Sequence, residues 1–216
     1  MTILQTVITG VSELSDKAKP SDVLSLMSRL YSKFDLLCEQ QNVYKLHTMG
    51  DMYVVMGYSG KVAKDRRTLE DSIIEGYNIL QVAMQMLDIV KEERNRSSSL
   101  LRNLDMKVGI HTGKILGGII GSRIIRYDIF GQDVLTSKKV LEAGESGSVV
   151  VSQKFTELIK NKQFIWDTFD WQETTKIRVE GSEKKLQIFR VEQIFAVDGS
   201  SSEDMMEAGH EHKGDA

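Results

Sequence analysis

The sequence predicts an α+β fold, a ferredoxin-like βαββαβ sandwich with added strands and helices. Three observations predict it. Strand-length apolar runs occur at Thr2–Ile8, Val43–Met49, Met52–Met56 and Met106–Thr112. Two longer segments between them space their apolar residues by three and four, the period of a helix with one buried face. The resulting order is strand–helix–strand–strand–helix–strand, an arrangement that packs helices on one face of a sheet.

The elements follow in order. Thr2–Ile8 is the first strand and Thr9-Gly10-Val11-Ser12 a turn. Pro20-Ser21-Asp22 opens a helix, with proline and capping side chains where a helix start favours them. Val23, Leu26, Met27, Leu30, Phe34 and Leu37 form its inward face. Val43–Met49 and Met52–Met56 make a hairpin, and Gly57–Arg67 is a polar connection. A long helix runs from Thr68 to Glu93 with a stripe of Ile73, Tyr77, Leu80, Met84 and Leu87. Its methionines are gap-fillers of a core. Asn95–Ser99 is a polar loop. Met106–Thr112 is a strand, Gly113-Lys114 a turn, Ile115–Ile120 the return strand and Ile124–Phe130 a further strand. A helix from Asp133 to Ala143 closes at Gly144–Gly147. Then come a strand at Ser148–Ser152, a short helix at Phe155–Ile159, and strands at Lys176–Val179 and Leu186–Val191.

Composition bounds the function. The chain has 216 residues, 41% hydrophobic and 27% charged, enough for one domain with a real core. We assign that domain to residues 1–195 and read 196–216, rich in Ser, Asp, Glu, His and Gly, as a disordered tail. His210 and His212 fall in that tail and read as solvated. A net charge of −3 implies no broad basic face, and so no nucleic-acid partner. Cys38 is the single cysteine, which excludes a disulfide frame and a zinc cluster and reads as a small core residue. No apolar run reaches membrane-spanning length, so direct membrane insertion by this segment is not expected. The abrupt start in a strand reads as a domain excised from a longer protein.

The residues richest in chemistry are at Thr48-Met49-Gly50-Asp51-Met52-Tyr53. Asp51 falls on the tip of a hairpin whose glycine tolerates an unusual backbone angle. A carboxylate held on a rigid tip can ligate a metal ion, and the same turn can equally be a surface hairpin. Four stretches in order then resemble one family. They are Tyr44 to Tyr53, Met106 to Lys114, Gly117 to Gly121, and Arg126 to Val134. Together they resemble the class III adenylyl/guanylyl cyclase catalytic domain, over roughly Thr2 to Val191. The Lys114 turn and Asp133-Val134-Leu135 are most similar to cyclase halves of ciliate and apicomplexan protists, in which a cyclase pair is fused behind a membrane transporter-like module.

The resemblance implies a reaction. A ribose 3′-hydroxyl attacks the α-phosphate of a nucleoside triphosphate and pyrophosphate leaves. Two Mg²⁺ or Mn²⁺ ions lower the hydroxyl pKa and neutralise the leaving group. Two aspartates of one domain hold the ions. A second domain, packed head to tail, supplies base recognition, an asparagine and an arginine near ribose and α-phosphate, and a lysine for the triphosphate. It also implies a cytoplasmic domain of a larger membrane protein.

Carried over residue by residue, the second metal aspartate is Asp51 and the first falls on Val7, which cannot ligate a metal. The turn at Gly10 either cradles phosphate with its backbone or is a plain tight turn. Lys114 stands where an arginine touches the phosphates, keeping the charge without the fork, and its alternative is a solvated turn lysine. His111 is structural. The base-reading pair is His47 and Asp128, which matches neither the adenine pattern nor the guanine pattern in full. The asparagine position is Leu135, the arginine position is the catalytic candidate Lys139, and the triphosphate-lysine position is Glu180. A carboxylate there repels phosphate.

Two functions follow. The first is one half of a heterodimeric cyclase whose isolated chain is nearly inactive. The second is a catalytically inactive pseudo-cyclase that acts as a dimerisation or regulatory module. Val7, Leu135 and Glu180 favour the second, while Asp51 and Lys114 favour the first.

Overall fold

A computed structural model describes residues 1–57, 68–96, 101–179 and 185–194. Strand β1 (Thr2–Thr9) is central, and its side chains are buried on both faces nearly throughout. It leads through α1 (Val11–Lys17) and α2 (Pro20–Gln40) to the hairpin β2 (Tyr44–Met49) and β3 (Met52–Met56). Helix α3 (Leu69–Arg96) returns to β4 (Asp105–Thr112). These strands lie in the order β2-β3-β1-β4 with every neighbour antiparallel, which is the expected βαββαβ unit. Three added strands widen the sheet: β7 (Ser148–Ser152) beside β4, then β9 (Lys185–Gln193), then β8 (Phe169–Arg178). Strand β7 runs parallel to β4 and antiparallel to β9.

The helices of the central unit share one face, as expected. Leu26, Leu30, Phe34 and Leu37 of α2 and Ile73, Leu80 and Leu87 of α3 pack on Leu4, Ile8, Met106, Val108 and Ile110. Tyr77 and Met84 sit partly buried against the same cluster. Helix α3 begins at a reciprocal cap: the Asp71 N–H donates to Thr68 Oγ1 and the Thr68 N–H to Asp71 Oδ2. Glu93 on α3 accepts from Arg29 on α2 at 2.9 Å and pairs with Lys33 at 3.5 Å, fixing the two helices in register. Helix α5 (Gln153–Ile159) completes this layer with Phe155 and Ile159, and the four-residue α6 (Gln163–Trp166) follows it.

The opposite face is covered too, which the helical reading did not anticipate. Helix α4 (Gln132–Glu142) lies there, with Val140 on Val150 and Ile188, and with Gln5 Nε2 donating to Ser137 Oγ at 2.7 Å. The alternation of β1 explains it: Leu4 and Ile8 point to α2 and α3, whereas Ile3 and Gln5 point the other way.

Four further expectations are corrected. Val11 and Ser12 belong to α1, so the turn is only Thr9-Gly10. The segment after Lys114 does not return along β4. It forms β5 (Leu116–Ile120), which pairs with β6 (Arg126–Phe130) in a separate two-stranded ribbon. Strand β8 is longer than the predicted Lys176–Val179, and α6 was not predicted. Asn95 and Arg96 extend α3 rather than opening a loop. The ribbon rests on the α4 face through Ile115 and Ile129, which join Ile3, Val54, Met56 and Val134. It carries exposed apolar side chains on β5 and on the connection to β6: Leu116 is 67% exposed, Ile119 73% and Ile124 87%. The connection at 58–67, the 97–99 part of the predicted loop, Glu180 and the 196–216 tail lie outside the described residues.

Candidate functional site

The structure places the candidate residues at two ends of β1. At its C-terminal end stand Val7, Gly10 and Asp51. The Ile8 N–H donates to the Asp51 carbonyl at 3.0 Å, and Val7 pairs with Met52 across the ladder. The hairpin tip therefore docks beside Val7, the position at which the sequence resemblance expects a first metal aspartate. In the two-residue loop Gly50-Asp51, Gly50 has φ +60° and Asp51 does not share the positive φ. That is the dihedral pattern a type II′ hairpin turn requires. Tyr31 on α2 fixes the tip by donating its hydroxyl to the Gly50 carbonyl at 2.8 Å. Burial, and then the Asp51 charge, push the Tyr31 phenol up to about 12. Gly10 has φ +85°, and a Cβ there would lie 2.3 Å from the Asn103 carbonyl oxygen. Only glycine fits that close turn.

At the N-terminal end of β1 lies Lys114. The Gly113 N–H donates to the Met1 carbonyl at 3.0 Å, and Thr112 pairs with Thr2. Seven residues of antiparallel strand separate Met1 from Ile8, about 24 Å. The chain thus does not bring Lys114 and Asp51 together; they stand at opposite ends of one strand. Lys114 is exposed, and its backbone N–H donates to Asp133 Oδ2 at 2.7 Å.

Asp133, in the first turn of α4, is the residue the sequence reading left without a role. Its Oδ1 meets His111 Nε2 at 3.0 Å and Lys154 Nζ at 2.9 Å. Burial alone would raise its carboxyl; the hydrogen bonds from Lys154, His111 and the Lys114 backbone outweigh burial and hold it at about 2. His111 is fully buried, and burial holds its imidazole below the ordinary range, so it is neutral at pH 7. Its Nδ1 lies 2.7 Å from Ser152 Oγ, the side chain that also caps α5. His111 is structural, as expected. A pattern existed that could have found Asp133: an acid in the first turn of a helix, three residues after a strand.

The base-reading candidates come near one another without a direct contact. His47 is exposed on edge strand β2, just past a bulge between Lys45 and His47. Asp128 on β6 pairs with Arg126 at 3.0 Å and accepts from the Ile129 N–H. Tyr44 and Tyr127 meet edge to face at 6.3 Å, which sets β6 beside β2. On α4, Leu135 is exposed, and Lys139 donates to the Arg178 carbonyl at 3.4 Å, which ties it to the end of β8.

Residues 1–193 match the sequence profile of a family described as the adenylate and guanylate cyclase catalytic domain. The chain is 34% identical over 179 residues to guanylate cyclase alpha of Plasmodium falciparum, covering 83% of this chain and 4% of that protein. It is 32% identical over 162 residues to guanylate cyclase of Toxoplasma gondii, covering 75% of this chain and 4% of that protein. It therefore spans a small fraction of these relatives. The guanylyl cyclase Cya2 superposes with a TM-score of 0.74 at 19% identity, over 93% of this chain and 95% of that one. The guanylate cyclase domain of RhGC from Catenaria anguillulae, in complex with GTP, gives 0.70 at 18% identity, over 89% and 95%. At these identities the superpositions establish the fold.

Proposed function

Because this chain belongs to the adenylate and guanylate cyclase catalytic domain family, we propose that it works as one half of a two-domain cyclase. The pair converts a purine nucleoside triphosphate to the 3′,5′-cyclic nucleotide and pyrophosphate, with a complementary cyclase domain packed head to tail. The observation that carries this reading is the Asp51 hairpin, docked on β1 and pinned by Tyr31. A carboxylate kept in a fixed place on a glycine-dependent turn is what a cation-holding half needs.

Divalent ions belong to the family's chemistry, and the donor set here does not fit a pair of them. The Val7 side chain has no lone pair to offer, and among the described residues no three His, Cys, Asp or Glu side chains group to hold a metal. What this chain's own residues supply is charge and position. The ammonium groups of Lys114 and Lys139 lie away from the Asp51 hairpin, one at the opposite end of β1 and the other on the Arg178 carbonyl, so each would meet phosphate charge only within the assembled pair. His47 and Asp128 are this chain's counterparts of the base-reading pair, Asp128 already holding Arg126, and in the pair the complementary domain supplies the base recognition for the Asp51 site. The substrate is GTP or ATP: the relatives above carry the name guanylate cyclase, whereas Asp128 stands where the adenine pattern has its aspartate.

The pair belongs, in this proposal, to a larger membrane protein, with this domain on its cytoplasmic side. No helix among the described residues is long and apolar enough to cross a membrane. A second reading, a pseudo-cyclase that only activates its partner, is favoured by Val7 at the position beside Asp51. One experiment separates them. The purified chain, alone and mixed with its complementary domain, is assayed with GTP or ATP and Mn²⁺ for cyclic nucleotide. We expect background turnover alone, turnover on mixing, and its loss with Asp51→Ala. Brisk turnover by the chain alone overturns the two-domain reading. Full activity of the Asp51→Ala pair overturns the role of Asp51 and leaves the regulatory one.

A further inference from the structure

We infer that Asp133 is a positioning residue, whose carboxylate sets the place of Lys114 relative to the first turn of α4. Three donors from three other parts of the chain converge on it: the Lys114 backbone N–H at 2.7 Å, His111 Nε2 at 3.0 Å and Lys154 Nζ at 2.9 Å. The turn before Lys114 is moulded to the same carboxylate. A Cβ on Gly113 would lie 2.2 Å from Asp133 Cγ, so the backbone approaches it as only a glycine allows.

The proton inventory of the network has one consistent assignment. Ser152 Oγ accepts the Phe155 N–H at the start of α5, leaving its own proton for His111 Nδ1. The neutral imidazole then carries its proton on Nε2 and donates it to Asp133. The opposite tautomer would set a ring lone pair against a carboxylate. Donation therefore runs one way from Phe155 through Ser152 and His111 to Asp133, where the Lys114 N–H arrives from the other side, and each group is satisfied. It links β7, β4, α4 and the root of the β5–β6 ribbon. An exposed lysine on a turn has many rotamers and a mobile backbone; here the backbone under it is held by a charged acceptor.

The test uses Asp133→Asn, which keeps the shape and removes the charge and one acceptor. In the purified chain, amide hydrogen exchange at Lys114 should rise by about 10- to 100-fold, the range expected for losing a hydrogen bond to a charged group. Exchange at Leu4 and Ile110 in the central strands should not change. Nitrogen shifts of the native His111 ring should report the Nε2–H tautomer. An unchanged Lys114 amide in a folded variant, or an Nδ1–H ring in the native protein, overturns the inference. These readouts do not require turnover.

The kinetic arm rests on the cyclase reading. In the pair, Asp133→Asn should raise KM for the triphosphate about tenfold. On a Lys114→Ala background the same substitution should add less than about twofold, because the group it positions is gone. Equal effects on both backgrounds would overturn positioning through Lys114. Absence of turnover in the native pair would remove the cyclase reading and leave the exchange and tautomer results to decide the geometry.

Discussion

The two ends of β1 differ in how completely their charges are provided for. At the Lys114 end, one carboxylate has three donors, and its neighbouring histidine has a partner on each ring nitrogen. At the Asp51 end, a carboxylate stands on a tip held by backbone hydrogen bonds and one tyrosine, with Val7 beside it. The first end is complete by itself. The second end has the same firm backbone placement, but its carboxylate stands beside a valine rather than among side-chain donors. Scaffold and chemistry have parted company along a single strand.

The largest effect that would sharpen this contrast is Val7→Asp. If Asp51 is the retained half of a cation site, turnover of the pair should gain about 100-fold, the scale on which one electrostatic group acts in a transition state. Mn²⁺ should also raise the melting temperature of Val7→Asp and not that of the native chain, since only a bound state gains from the ion. Unchanged turnover and an ion-independent melting temperature would make Asp51 a relic of position.

Next come two glycine substitutions, one at each end. Gly113→Ala drives a methyl group into Asp133 and should cost about 2–3 kcal/mol by urea denaturation. Gly50→Ala meets nothing within 4 Å, so only its positive φ is penalised, about 1 kcal/mol. Equal costs would erase the distinction between a packed turn and an open one.

Acid should attack the complete end first. The Asp133 carboxyl is lowered from 3.8 to about 2, so its contribution is present above 3.8 and lost as pH falls through 2. That shift corresponds to about 2 kcal/mol. The His111 imidazole is lowered from 6.5, so its neutral form also stabilises the fold above that value and less below it. Unfolding free energy should decline from pH 6.5 downward, and Asp133→Asn should flatten the lower part of the curve. The hairpin end responds on the alkaline side. Tyr31 is raised from 10 to about 12, so its contribution holds below 10 and is lost as pH rises through 12. Tyr31→Phe should cost about 1 kcal/mol and abolish that alkaline loss, measured as thermal stability across pH 8 to 12.

Much of this was legible because periodicity is a local signal. The stripes of α2 and α3, the apolar run of β3 and the alternation at the start of β4 are written in residues a few positions apart. Helix α1 escaped because Leu14 is its one buried residue, too little to make a period. Most of β8 escaped because a register shift between Glu173 and Lys176 breaks its alternation. The pairing of β5 with β6 rather than β4 depends on where the chain turns, which hydrophobic pattern does not encode. Asp51 and Val7 were readable by alignment, and the ladder sets them side by side. The partners of Asp133 were not readable. Ser152 is 41 residues from His111, and their contact exists only once β7 lies beside β4.

Among the described residues the β5–β6 ribbon pairs only with itself, and Leu116, Ile119 and, in its connection, Ile124 are exposed. A two-stranded ribbon is marginal on its own in water. Whatever covers these side chains removes apolar area from solvent and stabilises the ribbon in the same event. Order in this segment is then a function of concentration: dilute chain holds it loosely, and assembly tightens it. Lys114 stands at the root of the ribbon, so the order of its turn rises and falls with that cover.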